Sequence, residues 1–328
     1  MTRVKDILLL LLRVSVSILL LVVLFKINKI DLRVLINDMR FTDKRLLAVG
    51  FLFFFSGYFL GFLRWRMLLR TVGINIPLKR LVRSFAGGIF FSIFLPSTIG
   101  GDLVRAADLV EHTKKAKEVI ATVFLDRLSG YIGVVLVILL ALLLGRNLVL
   151  DKVVFTSVSV IVLLLVIVLL VLFNNAIYSR ITRFLSSPGS GKIKETIKNM
   201  HQQIHFFRQH KRMITLNLLI SFVIQLIGPI SVYFIGLSLG IKINFVYFFI
   251  FLPIIGSITL LPIAIGGLGL REGLFVAYFA KAGIVKQLAL AMSLLSFSFI
   301  VFCGALGGLI YVFKVHHRRL QLNKPPGV

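Results

Sequence analysis

Six long apolar runs constrain this chain more than any other feature. They lie at about 7–25, 46–63, 128–144, 153–173, 213–239 and 288–313. A run of ~20 apolar residues is what a helix needs to cross the hydrocarbon core of a bilayer. An all-α polytopic membrane protein with about six full transmembrane helices follows. The longest polar stretch, Asn174 to Arg212, is too short to fold as a soluble domain, so residues 1–328 form a single membrane domain. The opening run follows Met1–Asp6 and has no small-residue cleavage site, which makes it a retained signal-anchor helix. Arg13 inside it either snorkels or faces the protein interior.

Two further apolar segments, near 84–105 and 245–272, are interrupted. The first contains Leu95-Pro96, then Gly100-Gly101, then Asp102 and Arg105. The second contains Leu261-Pro262, then Gly266-Gly267, Gly269, Arg271 and Glu272. Both read L-P-x-x-x-G-G-x-x-x-R. Proline has no amide hydrogen and breaks helical pairing, while paired glycines permit tight turns and close backbone approach. Freed backbone groups at membrane depth are tolerated only when buried in protein or lining a wet cavity. Each segment is therefore expected to be a re-entrant hairpin, with its tip built on Pro96, Gly100 and Gly101 or on Pro262, Gly266, Gly267 and Gly269.

Charge sets an orientation. The formal net charge of +26 would suit nucleic acid, but the basic residues sit in loops beside apolar runs, as the positive-inside rule and anionic headgroups demand. No nucleic-acid partner is expected. Asn174–Arg212 and the tail from Lys314 are dense in Lys and Arg, which places them and both termini in the cytoplasm of a cell with this protein in its plasma (inner) membrane. The links 145–152 and 240–244 then face outward. The first hairpin dips in from the cytoplasm and the second from outside, an inverted repeat of the kind found in transporters. The link from Lys26 to Arg45 lies outside in this scheme despite its basic residues.

Between 191 and 212, Ile193, Ile197, Met200, Ile204 and Phe207 recur on one helical face. This segment is expected to lie as an amphipathic helix on the anionic inner leaflet. His201 and His205 are one turn apart, but no third ligand accompanies them, so a solvated face is preferred to a metal site. The single cysteine, Cys303, excludes an intramolecular disulfide and a cysteine-based zinc site. No metal and no cofactor is expected.

Charged groups beside the breaks point to an anion. Arg105 shares a helical face with Asp102, Arg271 is followed by Glu272, and Asp126-Arg127 stands at the opening of the run 128–144. A guanidinium forks onto phosphate, and a helix end exposed at a break favours negative charge. Arg105, Arg271, Asp102, Glu272, Arg127 and Asp126 are thus candidates for binding a lipid headgroup. Against this stands a structural role, in which Arg105 and Arg127 mark helix ends and Asp102 caps a helix. The sequence holds no G-x-x-x-x-G-K loop, H-E-x-x-H or G-x-S-x-G signature, and no catalytic residue is assigned.

The stretches Arg64–Pro77 (RWRMLLRTVGINIP), Phe94–Arg105 (FLPSTIGGDLVR), Asp126–Gly130 (DRLSG) and Gly266–Gly273 (GGLGLREG) together resemble the flippase-like membrane domain of lysylphosphatidylglycerol synthases. The resemblance covers nearly the whole chain. The family's motif positions fall on Pro96, Gly100, Gly101, Asp102, Arg105, Arg127, Gly266, Gly267, Gly269, Arg271 and Glu272. Asp126 stands where a glutamate is often found, a change that keeps the charge. The resemblance implies a domain that moves aminoacylated phospholipid between leaflets. It also implies a stand-alone member, because the cytoplasmic aminoacyl-transfer domain of the two-part members is not present after the last run.

The reading that unites these features is a lipid-translocating or lipid-binding protein. Its partner is an anionic or aminoacylated membrane phospholipid, or a polyprenyl-phosphate lipid. Any separate lipid-modifying enzyme would be a second partner, and self-association into a homo-oligomer is compatible with the sequence. The alternatives are a membrane subunit of a lipid-modifying enzyme of the lysylphosphatidylglycerol synthase or glycosyltransferase type, with Asp102 as base; a carrier for an anionic solute; and a scaffold for a partner synthase.

Overall fold

The computed structural model describes residues 2–28, 30–95, 98–145, 151–173, 210–260 and 265–322. Pro96, Pro262 and residues 174–209, which hold His201, His205 and most of the expected amphipathic segment, lie outside the described residues, as does the side chain of Arg13. The described residues form eleven α-helices and one 3-10 turn, with no strand among them. In chain order the helices are α1 (Thr2–Ile27), α2 (Leu32–Arg40), α3 (Lys44–Thr71), α4 (Leu78–Phe94), α5 (Thr98–Thr113) and α6 (Ala116–Leu144). They continue with α7 (Lys152–Phe173), α8 (Lys211–Ser238), α9 (Val246–Ile258), α10 (Leu270–Lys281) and α11 (Lys286–Leu322). The 3-10 turn, Ile265–Gly267, precedes α10.

Five of these helices hold a stretch long and apolar enough to cross a membrane: α3, α6, α7, α8 and α11. The first expected span falls on α1, whose described apolar part is Ser15–Ile27. Two boundaries differ from the sequence expectation in a way that matters. Helix α3 runs on past 63 to Thr71, and α6 begins at Ala116 rather than near 128. Apolar length alone stops at the first charged side chain, yet both helices carry charged residues inward and satisfy them by pairing.

The helices are tied together at two opposite ends. At one end the Asp43 amide donates to the Ser238 carbonyl, joining the start of α3 to the end of α8. At the same end Lys281 Nζ lies 2.6 Å from Asp151 Oδ2, joining the end of α10 to the start of α7. Gln287 of α11 reaches Asp38 of α2 there as well. Helix α3 runs antiparallel to α8, with Gly50 beside Ser231 and Gly57 beside Ile227. It packs against α6 toward the other end, where Trp65 Nε1 donates to Thr122 Oγ1 and buried Leu68, Ala121 and Leu125 cluster.

Two helical hairpins fill the middle. In the first, α4 and α5 are antiparallel: the Ser84 hydroxyl donates to the Arg105 carbonyl and Arg80 pairs with Asp108. Its open side belongs to the end where α3 finishes and α6 starts. In the second, α9 and α10 are linked through the 3-10 turn, and their open side belongs to the opposite end, where Gly145 meets Val246. The tips meet, since a Cβ built on Gly266 would stand 3.1 Å from the Ile93 carbonyl oxygen.

The matching glycine pairs do different jobs. Gly266, Gly267 and Gly269 have φ of 57°, 74° and 82°, the left-handed region where a side chain is strained. Gly100 and Gly101 lie inside helix α5. There Gly101 allows backbone contact, because a Cβ would collide with the Gly88 carbonyl oxygen of α4. One copy of the motif makes a left-handed turn and the other a close helix crossing.

Candidate functional site

Around the hairpin tips lies a cavity of about 570 Å³, walled by α3, α4, α5, α6, α8, α9, α10 and α11. Most of its wall is apolar or aromatic, including Phe54, Tyr58, Phe85, Leu252, Phe275 and Ile300. Six charged side chains interrupt it: Arg64, Asp102, Arg105, Asp126, Arg127 and Arg271. A pocket of this kind, apolar with few convergent polar groups, is the default place to look for a ligand.

Five of the six form one ion-pair network. Arg64 Nε lies 2.7 Å from Asp126 Oδ1, and Arg105 Nη2 lies 2.8 Å from the other oxygen of the same carboxylate. Arg105 Nη2 is also 2.9 Å from Asp102 Oδ1, the i,i+3 contact along α5. Arg127 Nε bonds to Asp102 Oδ2. Arg64 adds a bond of 2.6 Å from Nη1 to the Ser221 hydroxyl of α8. The network therefore links α3, α5, α6 and α8. Removing a charge from water is costly, and only such mutual pairing makes several buried charges tolerable.

Arg105 is the most constrained member. It is 5% exposed, and its guanidinium carbon stands 4.4 Å from the Trp65 ring centroid and 5.6 Å from that of Phe85. Stacking on two rings fixes the plane of the fork. Its Nε, buried, has no hydrogen-bond partner, although an N–H in a dry site ordinarily finds an acceptor.

The second hairpin contributes Arg271, whose guanidinium lies 4.4 Å from the Phe297 ring centroid and bonds to Glu272. Glu272 lies behind the cavity wall, fully buried. Its Oε2 accepts a 2.6 Å bond from the Gly269 amide, closing the first turn of α10. Its Oε1 takes Arg271 and, at 3.4 Å, the Ser293 hydroxyl. Glu272 thus holds Arg271 in place rather than facing the cavity.

Of the residues proposed from sequence, Asp102, Arg105, Asp126, Arg127 and Arg271 share one cavity, and Gly101 lines it with them. Gly100, Gly266, Gly267 and Gly269 shape the backbone around it. Asp126-Arg127 does not open its helix but sits ten residues inside α6. Asp102 is likewise within α5, not its cap. Both oxygens of Asp102 are committed to guanidiniums, which argues against a catalytic base. Sequence reasoning missed Arg64, because the apolar run was closed one residue before it. A charged side chain abutting a long apolar run was the available signal. Also missed were Pro229 and Pro253, which lie within α8 and α9 and line the cavity. Each lacks an amide, so the carbonyls of Gln225 and Phe249 one turn earlier receive no helical bond from them.

Residues 10–308 match the family model described as the lysylphosphatidylglycerol synthase TM region. The chain belongs to that family. A UPF0104 membrane protein of Pyrococcus horikoshii is 24% identical over 302 residues, covering 86% of this chain and 90% of that protein. A UPF0104 membrane protein of Methanothermobacter thermautotrophicus is 27% identical over 254 residues, covering 70% and 73%. A second protein of that name from the same organism is 25% identical over 280 residues, covering 77% and 78%. Family membership and the apolar helices together make this a multi-pass membrane protein.

Proposed function

We propose that the chain binds the headgroup phosphate of an anionic membrane lipid in this cavity and passes the lipid between leaflets. In this reading the two hairpins are re-entrant and enter from opposite faces of the cell membrane as an inverted repeat, with both termini in the cytoplasm. The acyl chains remain in the bilayer while Arg105 and Arg271 take the phosphate in turn. The observation that carries the reading is Arg105 itself: a buried, doubly stacked guanidinium on the cavity wall with an N–H that no acceptor meets. The apolar wall supports a lipid over a free solute, and the family's description, which names a phospholipid synthase, agrees. A separate enzyme that makes or consumes the lipid is the natural partner.

The test is a leaflet-exchange assay in proteoliposomes with a fluorescent anionic phospholipid. Wild type should exchange lipid faster than empty vesicles, and the Arg105→Lys, Arg271→Lys double variant, confirmed as folded, should lose the gain. Folded wild-type protein without exchange would sink the translocation reading.

A further inference from the structure

Helix α3 packs differently on its two sides. One side lies on α8, with Gly50 beside Ser231, Gly57 beside Ile227, and the Phe53 and Phe234 rings stacked at 5.5 Å. The other side meets α11 and α4. Among the described residues, its ring contacts there fall into two groups. Phe51 and Phe54 hold Phe299 of α11 at 5.2 and 5.7 Å, and Phe51 also meets Phe302 at 5.4 Å. Further along, Phe62 and Trp65 hold Phe85 of α4 at 5.6 and 6.1 Å. The groups stand about 12 Å apart along α3 by helical rise.

Between them the wall is thin. Tyr58 and Gly61 line the cavity from α3, as do Ile89 of α4 and Ile300 of α11. A Cβ built on Gly61 would meet only Phe85 Cζ, at 3.8 Å. On the same stretch of α3, Phe55 and Phe59 are 49% and 55% exposed. In a helix long and apolar enough to cross a membrane, such a face meets lipid tails. About one turn of α3 therefore separates the cavity from the bilayer.

The chemistry of this gap selects its occupant. Residues 55–61, 85–92 and 296–303 contain no Asp, Glu, Lys, Arg or His. A charged group passing here would lose water and gain no ionic partner, whereas a hydrocarbon chain needs none. The charged end of the cavity is close by. The Arg105 guanidinium stacks on Trp65 and Phe85, the rings of the second group, so a phosphate at Arg105 has the gap beside it.

We infer that the seam between α3 and the α4–α11 pair, bounded by the two ring clusters, is a lateral portal through which an acyl chain of the bound lipid runs from the cavity into the bilayer. The inference rests on the lipid-binding reading above and adds the route of the chain.

The test uses the full chain in phosphatidylcholine nanodiscs doped with a phosphatidylglycerol that carries a diazirine at mid-chain. Adducts formed on illumination are mapped by mass spectrometry, with the exposed Leu163 and Leu164 of α7 as the reference for bulk lipid. Adducts on residues 55–61 and Ile300 should exceed that reference several-fold. At a fixed fraction of probe, excess unlabelled phosphatidylglycerol should erase the difference. Gly61→Trp, which fills the gap, should erase it too, and should weaken retention of long-chain phosphatidylglycerol more than that of the dihexanoyl form. Gly61→Leu serves if the indole does not fold. Seam adducts at the reference level in protein that retains phosphatidylglycerol, or an excess centred between another pair of helices, overturn the portal and leave the headgroup site standing. Protein that retains neither form overturns the lipid-binding reading and the portal together.

Discussion

Arg64 and Asp126 stand 62 residues apart in the chain and 2.7 Å apart in the fold. Through this pair α3 and α6 meet at a charge as well as at apolar side chains, and Arg105 of α5 joins them on the second carboxylate oxygen. Asp126→Ala would take the carboxylate from the buried Arg64 and leave Arg105 with Asp102 alone. Breaking one side of a buried pair costs about 3–5 kcal/mol, and this loss should appear in equilibrium unfolding in mixed micelles. A change below about 0.5 kcal/mol would mean the cluster does not hold these helices together.

Arg105→Lys keeps the charge and removes the fork. An ammonium cannot reach both aspartates while stacking between Trp65 and Phe85. A desolvated cation–π contact contributes roughly 2 kcal/mol, so anionic-headgroup retention should fall roughly 10- to 30-fold while the protein still folds. Retention equal to wild type would reduce Arg105 to a point charge.

The two glycine pairs should rank alanine and asparagine in opposite orders. Gly267 has φ 74° and its nearest non-local atom is 3.5 Å from an added Cβ. Alanine there should cost ~1–2 kcal/mol from backbone strain, and asparagine less, because asparagine visits the left-handed region. Gly101 is helical and its Cβ would strike the Gly88 carbonyl oxygen. Alanine there should cost ~1–3 kcal/mol by overpacking, and asparagine more than alanine. Parallel thermal melts of the four variants decide it.

At the far end, Asp151 accepts from Lys281 Nζ and from the amides of Val153 and Val154. The Lys281 hydrogen bond, helped by those amides, holds the Asp151 carboxyl below the usual carboxylate range. A depressed folded pKa means the contribution is full above the unfolded value of about 3.9 and is lost as pH falls through the folded one. Wild type should therefore lose a small increment of stability below about pH 4, and Asp151→Asn should lack that increment. The effect should also shrink with salt, since the pair is partly exposed.

The helical class, five of the six long apolar helices and the two interrupted segments were legible because apolar length and a proline–glycine break are local signals. Asp102, Arg105, Asp126, Arg127 and Arg271 were legible because charge beside an apolar run is rare and needs a reason. What the sequence could not display was who answers whom. Glu272 reads like a headgroup ligand, and only the fold reveals its oxygens turned to Gly269, Ser293 and Arg271. Arg64 was hidden by a boundary drawn at the last apolar residue, when its partner lay on a helix drawn too short at its own start. The two L-P-x-x-x-G-G-x-x-x-R copies look alike in letters, yet glycine permits both a left-handed turn and a close crossing, and the letters do not say which.

Helix α4 seats Ala86 and Phe90 against Gly307 and Gly308 of α11, with Ile93 against Gly304. Its neighbour in space is thus among the final helices in the chain. During synthesis the α4–α5 hairpin emerges early and has no floor to rest on until α11 arrives. Its tip also lacks the Gly266 turn to lean against. Arg105 and Asp102 are therefore made long before the cavity that shelters them exists. A ribosome halted between α8 and α11 would leave a nascent chain whose ion-pair network has its partners but whose cavity lacks the walls from α9, α10 and α11. Closure of the cavity then waits on α11, the last of its walls to be made, and cutting that helix away should open it first.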